Sequence, residues 1–162
     1  MNSVFDLLLD GRFLAAFAAA LASLLAGIGS AIGVGICGEA SAGLVTEEPN
    51  RFGKALLLQA LPGTQGIYGL LAAFVIMTRT GILAGAPPTT VEGLMYIAGA
   101  LPVGIVGLLS AIAQGRVAAG GVGIITKRPE EMAKGILMAV MVEFYAILAL
   151  LVSMLMLVSL GS

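Results

Sequence analysis

Histidine and tryptophan are absent from this sequence of 162 residues, and cysteine occurs only at Cys37. The absence of histidine removes the commonest ligand of transition metals. A single cysteine cannot form a disulfide within the chain, so we interpret Cys37, in an apolar glycine-rich segment, as a packing residue. Charged residues are only 10% of the chain, against about 25% in soluble domains. The net charge of -1, with no basic patch, gives no indication of nucleic-acid binding.

Apolar residues dominate what is present: they make up 59% of the chain, and the mean hydropathy is +1.09. So little polar surface predicts an integral membrane protein. The N-terminal stretch carries Asp6 and Asp10 ahead of the first long apolar run. A cleaved signal peptide has a basic start, so we expect this first segment to be retained.

Four apolar segments follow one another, and each exceeds the roughly 20 residues that a spanning helix needs. They cover about 13–45, 52–80, 92–125 and 129–160. The sequence therefore predicts an all-α membrane protein with four transmembrane helices in two hairpins. The predicted divisions are a short N-terminus at 1–12, a first hairpin at 13–80, a loop at 81–91 and a second hairpin at 92–162.

The loops between these segments differ in charge. Loops 46–54 and 126–134 hold five of the eight basic residues, whereas loop 81–91 holds none. The positive-inside rule then predicts a multi-pass protein of the cell membrane with loops 46–54 and 126–134 in the cytoplasm. Loop 81–91 and both termini are predicted to be extracytoplasmic. Arg79, just before the middle loop, opposes this orientation.

The chain repeats itself after 80 residues without a gap, which indicates a duplicated helical hairpin with both copies in the same orientation. The two copies differ at two polar positions of the second hairpin: Glu143 aligns with Gly63, and Gln114 aligns with Val34. The two hairpins thus form one polar site rather than two. The aligned pairs include Gly27 with Gly107, Ser30 with Ser110, Gly35 with Gly115, Thr46 with Thr126, Pro49 with Pro129 and Lys54 with Lys134.

Glycines crowd the first segment, and Gly27, Gly35 and Gly43 recur eight residues apart. Small residues let helices approach closely in lipid, so we expect the first segment, and less strictly the third, to form closely packed inner helices. A nucleotide-binding loop is a poor interpretation of this richness. The glycines lie inside an apolar helix, and no Lys-Ser or Lys-Thr pair follows them.

Glu143 is a lone carboxylate in the otherwise apolar stretch 136–151. Its side chain is too short to reach the headgroups from mid-segment, and an ionisable group at that depth indicates a functional site. Two amides lie at the same level when helix rise is converted into depth. Gln65 is roughly 20 Å beyond Phe52, Gln114 is about 18 Å before Thr126, and Glu143 is roughly 20 Å beyond Pro129.

Pro62 and Gly63 break the second segment at this level, which frees backbone carbonyls. Carbonyl, amide, hydroxyl and carboxylate oxygens suit a hard cation. A single negative charge favours a monovalent one, so sodium is the first choice and a proton on Glu143 the second. The alternative for both glutamines is interhelical hydrogen bonding. Tyr68 lies one turn from Thr64, so its hydroxyl could hydrogen-bond to Glu143.

Two further charges lie within the segments. Glu39 is roughly 10 Å and Arg116 roughly 15 Å from the nearer loop by helix rise. They could pair, face a water-filled lumen or reach the interface. We expect a structural role for both rather than a role in transport.

Three motifs stand out: Pro-Gly-Thr-Gln-Gly-x-Tyr-Gly at 62–69, Ser-x-x-Ala-Gln-Gly at 110–115 and Val-Glu-x-Tyr-Ala at 142–146. Together they resemble the membrane rotor proteolipid of V-type ATPases, also called the K or c subunit, in its bacterial sodium-translocating form. The resemblance covers nearly the whole chain. It implies a ring of identical subunits with one essential carboxylate on the last helix of each, which is Glu143 here.

The same resemblance implies a sodium site and its supporting residue. The implied ligands are the Leu61 carbonyl, Thr64, Gln65, Gln114 and Glu143, with Tyr68 steadying the carboxylate. The implied partners are a stator membrane subunit with an arginine, central-stalk subunits and lipid. ATP chemistry would occur elsewhere in the complex, because this chain has no nucleotide motif, so we do not expect an enzyme.

Three other functions remain open from the sequence. A proton-translocating rotor subunit would use the same carboxylate without sodium. A small antiporter would also use one membrane glutamate, but it would need an aromatic-lined pocket, and aromatics are only 6% of this chain. A structural membrane oligomer would explain the glycines but not the polar cluster.

Overall fold

The protein is described by a computed structural model that covers residues 4–83 and 86–160. All regular secondary structure in this part of the chain is helical, which confirms the all-α prediction. The helices are α1 (Val4–Leu8), α2 (Gly11–Glu47), α3 (Phe52–Ala60), α4 (Thr64–Arg79), α5 (Thr90–Lys127) and α6 (Met132–Ser159).

Four helical stretches in the described residues are long and apolar enough to cross a membrane. They are α2, α3 with α4, α5, and α6 with the short turn before it. Each predicted segment matches one of them to within three residues at either end. Single 3₁₀ turns begin at Pro49 and Pro129, the repeated loop prolines, where a missing N–H is tolerated at the start of a helix.

The two longest helices, α2 and α5, pack against each other along their length. Gly11 lies against Thr89 at one end, and Arg51 donates to the Ile125 carbonyl at the other at 2.7 Å, so the two helices are parallel. Helix α4 packs on α2, and α6 packs on α5. The first and third spans are thus the central pair, with the second and fourth on the same side of it.

Close approach between α2 and α5 depends on particular glycines. A Cβ added to Gly29 would lie 2.5 Å from the Leu108 carbonyl oxygen, and one added to Gly115 would lie 2.5 Å from the Gly33 Cα. The glycines that recur eight residues apart do not take part in this contact. Gly27, Gly35 and Gly43 have open space beside them in the single chain, because they lie on another face of α2.

The buried core consists of two apolar clusters with a polar layer between them. One cluster joins α2, α4, α5 and α6 near the 81–91 loop, and the other joins α2, α3, α5 and α6 near the opposite end. Buried polar side chains occupy the level between the clusters: Ser30, Gln65, Ser110, Gln114 and Glu143. Large apolar side chains cover the outer faces of α4 and α6, including Ile67, Leu70, Phe74, Leu137, Met141, Phe144, Leu148 and Leu155.

Candidate ion-binding site

The second span is broken at the level of the polar layer. Helix α3 ends at Ala60, a 3₁₀ turn occupies Leu61–Gly63, and α4 begins at Thr64. Pro62 has no N–H to donate, so the helical hydrogen-bond pattern cannot continue unchanged through it. The Leu61 carbonyl accepts a hydrogen bond from the Thr64 hydroxyl at 3.0 Å. The irregularity that Pro62 predicts is confirmed, and it brings a carbonyl and a hydroxyl together.

Ser30 of α2 fixes the start of α4 after this break. Its hydroxyl accepts a hydrogen bond from the Gly66 N–H at 2.8 Å, one of the donors that a helix start leaves without an intrahelical partner. A Cβ on Gly66 would lie 3.2 Å from the Ser30 side chain, so the contact needs a glycine or a local shift. Sequence reasoning did not single out Ser30. Its recurrence as Ser110 was the available signal.

Glu143 of α6 is held by two side chains from other helices. The Tyr68 hydroxyl donates to Glu143 Oε1 at 2.6 Å, and the Gln114 amide donates to Oε2 at 3.3 Å. The carboxylate therefore has a partner on each oxygen. The predicted hydrogen bond from Tyr68 is present.

The two glutamines connect the carboxylate to the broken helix. Gln65 Nε2 donates to Gln114 Oε1 at 2.6 Å, and Gln65 Oε1 lies 3.4 Å from the Thr64 hydroxyl. Gln114 Nε2 also donates to the Ala139 carbonyl at 3.2 Å. One chain of hydrogen bonds thus passes through all six residues that the sequence marked: Leu61, Thr64, Gln65, Gln114, Glu143 and Tyr68.

These polar groups are buried, and burial costs free energy unless each group has a hydrogen-bond partner or a compensating charge. Gln65 and Gln114 are completely buried, and Glu143 is only 8% exposed. Buried polar groups are stable when they are hydrogen-bonded, and a buried carboxylate also needs a compensating cation or proton. The site offers a carbonyl, a hydroxyl, two amides and one carboxylate. Such a set can hold a small monovalent cation and end with no net charge.

Two residues that sequence reasoning weighed lie away from this network. Glu39 of α2 and Arg116 of α5 are both exposed in the single chain. Neither takes part in the hydrogen-bond chain among the described residues. The structure therefore brings the six marked residues together and leaves these two charges outside.

The family of the chain follows from comparison with known proteins. The model of the family described as the ATP synthase C subunit matches twice, at residues 17–76 and 97–156. The second match is displaced by 80 residues from the first, which is the period of the internal repeat. The chain belongs to this family of membrane rotor proteolipids, which are non-catalytic, ion-translocating subunits of ATPase complexes.

Two curated relatives resemble most of the chain. It is 49% identical to the V-type sodium ATPase subunit K of Enterococcus hirae over 146 residues, which are 90% of this chain and 91% of that protein. It is 40% identical to the A-type ATP synthase subunit K of Methanocaldococcus jannaschii over 151 residues. That alignment covers 93% of this chain and 64% of the relative, which is longer. The chain is accordingly a multi-pass membrane protein and a subunit of a rotor ring.

Proposed function

We propose that this chain is the sodium-carrying rotor subunit of a rotary ATPase and that Glu143 is its essential carboxylate. The observation that carries the proposal is the hydrogen-bond chain from Leu61 to Tyr68 that passes through Glu143. Its members come from three different spans and meet at one level. A structural oligomer has no need for a carboxylate at that level.

Sodium is favoured over a proton by the number of oxygen atoms. A proton needs only the carboxylate, whereas this site adds the Leu61 carbonyl, the Thr64 hydroxyl and the Gln65 amide oxygen beside one another. Gln114, between Gln65 and Glu143, is the fourth neutral ligand of the proposed site. The similarity to a V-type sodium ATPase subunit supports the same choice.

The charge of the site suggests how ion binding is coupled to rotation. With sodium bound, the carboxylate is balanced, and the site can pass along lipid at low cost. Emptied, Glu143 is a bare charge at membrane depth, which is expensive. Exchange should therefore occur only beside a polar stator, where we propose an arginine of a partner subunit. Loading from one side of the membrane and release to the other would then link ion flow to rotation of the ring.

We propose the orientation from the charge of the loops. Arg51 and Lys54 of loop 46–54 reach the neighbouring hairpin, where Lys54 Nζ donates to the Pro129 carbonyl at 2.7 Å. The two basic loops thus lie at one end of the molecule. By the positive-inside rule this end is cytoplasmic, and both termini are extracytoplasmic in the cell membrane. Central-stalk subunits would then contact this end.

Equilibrium binding of radiolabelled sodium to the purified ring tests the proposal. We expect saturable binding at one site per subunit, and we expect Glu143→Gln to abolish it while the ring remains assembled. Glu130→Gln, which removes an exposed loop carboxylate, is the matched control and should bind normally. Sodium binding that survives in the Glu143→Gln ring would contradict the site. A wild-type ring that binds no sodium but turns over with protons would select the proton alternative.

A further inference from the structure

Glu39 and Arg116 are the two charges inside the spans that the ion site does not use. Both side chains are exposed in the single chain, and neither forms an ion pair with any described residue. Ion pairs elsewhere lie at the ends of the spans, where Arg51 meets Glu48 at 2.9 Å and Lys134 meets Glu131 at 2.6 Å. Charged residues at membrane depth almost always pair or face water. The single chain gives Glu39 and Arg116 no partner in its described part.

The two charges lie at similar depth. Gly115 packs against Gly33, so Arg116 lies near the level of Val34 on α2. Glu39 is five residues further along α2, about 8 Å along the axis. An extended arginine side chain and a glutamate can cover that offset between adjacent helices. Depth alone therefore permits an ion pair.

Their directions forbid close pairing within one chain. Gly33 and Gly115 face each other. Glu39 is about 240° around α2 from Gly33, and Arg116 is about 100° around α5 from Gly115. Both side chains therefore point toward the face opposite α4 and α6. Glu39 points partly away from α5, and Arg116 points nearly perpendicular to the plane that contains the axes of α2 and α5.

In a ring, α5 of the adjacent subunit lies on the side of α2 toward which Glu39 points. The two hairpins are parallel repeats of each other. The contact between α2 and α5 within one subunit should therefore resemble the contact between α5 of that subunit and α2 of the next. The central helices of a closed ring would therefore alternate between α2 and α5. Arg116 of the neighbouring subunit would then lie about 8 Å from Glu39 along the helix axis, on the side of α2 that faces away from its own α5. The two opposite charges are complementary across that boundary.

We propose that Glu39 of each subunit pairs with Arg116 of the adjacent subunit, so that a belt of ion pairs connects the ring. The partner proposed for each exposed charge is thus a second copy of the chain. The inference rests on membership of a ring-forming family and not on which ion Glu143 carries. The same neighbouring helix would pack against the glycines of α2 that have open space beside them in the single chain, since Gly35 lies one turn before Glu39.

Charge reversal on separate copies tests the pairing. Glu39→Arg alone places two arginines at every boundary, and Arg116→Glu alone places two glutamates there. We expect each variant alone to lose most of its intact, detergent-resistant ring. Co-expression of the two variants allows alternating copies, in which opposite charges meet at every boundary except one if the copy number is odd. We expect the mixed ring to recover and to contain both variants in near-equal amounts, as quantified by mass spectrometry.

The mixed ring separates pairing between subunits from pairing within one. If the pair formed within a chain, each variant would still carry its own clash, and co-expression would restore nothing. If the two charges merely faced water, single reversals would leave the ring intact. Either result would overturn the proposal.

A cysteine pair keeps the test decisive if the reversed chains fail to fold. Glu39→Cys with Arg116→Cys, in a Cys37→Ser background, should give a ladder of covalently linked subunits with a flexible bis-maleimide crosslinker, which can bridge the axial offset of about 8 Å that a disulfide cannot. Each single-cysteine variant is the control and should give no ladder. Crosslinks confined to one chain, or none at all, would contradict the proposed neighbours.

Discussion

The Tyr68 hydroxyl donates a hydrogen bond to Glu143 Oε1 at 2.6 Å, and this contact joins the two halves of a duplicated chain. Tyr68 belongs to the first hairpin, and Glu143 belongs to the second. The first hairpin has Gly63 where the second has Glu143. One hairpin therefore carries the charge, and the other supplies a group that holds it. Two hairpins share a single site.

Removal of that hydroxyl should weaken ion binding without removing the site. Hydrogen bonds to charged groups contribute about 1.5 kcal/mol or more, so we expect Tyr68→Phe to lower the sodium affinity about tenfold. Tyr145→Phe is the matched control, because Tyr145 is two residues from Glu143 but 68% exposed in the chain. Equilibrium sodium binding to both purified rings checks the prediction. Equal affinities in the two variants would show that the Tyr68 contact does not support the bound state.

Loss of the Thr64 hydroxyl should act on the ion directly. Thr64 lies between the Leu61 carbonyl and the Gln65 amide oxygen, so Thr64→Ala removes one oxygen from the proposed coordination shell. We expect sodium affinity to fall about tenfold, or ~1.4 kcal/mol. Thr78→Ala removes a hydroxyl from the same helix that donates only to backbone carbonyls, and it should bind sodium normally. A Thr64→Ala ring with unchanged affinity would remove Thr64 from the ligand set.

The repeat offers a matched pair for the Ser30 contact. Ser30→Ala leaves the Gly66 N–H without its acceptor, so we expect a loss of about 1–2 kcal/mol in stability. Ser110→Ala makes the same change at the repeated position, where the hydroxyl has no hydrogen-bond partner among the described residues. That variant should be nearly neutral. Thermal dissociation of the two rings compares them, and an equal loss in both would contradict the role given to Ser30.

The depth of the site could be predicted from the sequence because helix rise is nearly constant. Gln65, Gln114 and Glu143 were expected at one level, and the structure joins them by hydrogen bonds. The rotation of each helix could not be predicted in the same way. It decides that Gly29 and Gly33 face α5 while Gly35 and Gly43 do not, and it places Ser30 against Gly66. Such contacts depend on how the hairpins pack, which the spacing of residues within one helix does not determine.

The start of α5 carries a local signal that can be recognised in the sequence. Thr89 and Glu92 form a capping box at the start of α5, with the Thr89 side chain accepting from the Glu92 N–H. Threonine followed three residues later by glutamate, just before an apolar run, is the usual signature of this cap. It places the helix start at Thr90, two residues before the predicted boundary at Glu92.

The α2–α5 contact should not tolerate an added methyl group at its closest point. A Cβ on Gly115 would lie 2.5 Å from the Gly33 Cα, and both helix backbones would have to move. We expect Gly115→Ala to cost about 1–3 kcal/mol in stability and to reduce the yield of intact ring. Gly53→Ala is the control, since nothing lies within 4 Å of the added atom. Equal yields from both variants would mean that the two helices can separate at little cost.

The central claim is that sodium occupies the Glu143 site, and carbodiimide labelling tests it most directly. Carbodiimide modifies a protonated carboxyl group, so a bound sodium ion should block the reaction at Glu143. The purified ring would be labelled across a range of pH with sodium, with potassium and with neither, and the modified residue mapped by mass spectrometry. We predict that sodium protects Glu143 and that potassium does not. Labelling of Glu143 that follows pH alone and ignores sodium would contradict sodium binding at this site and favour a proton-translocating rotor.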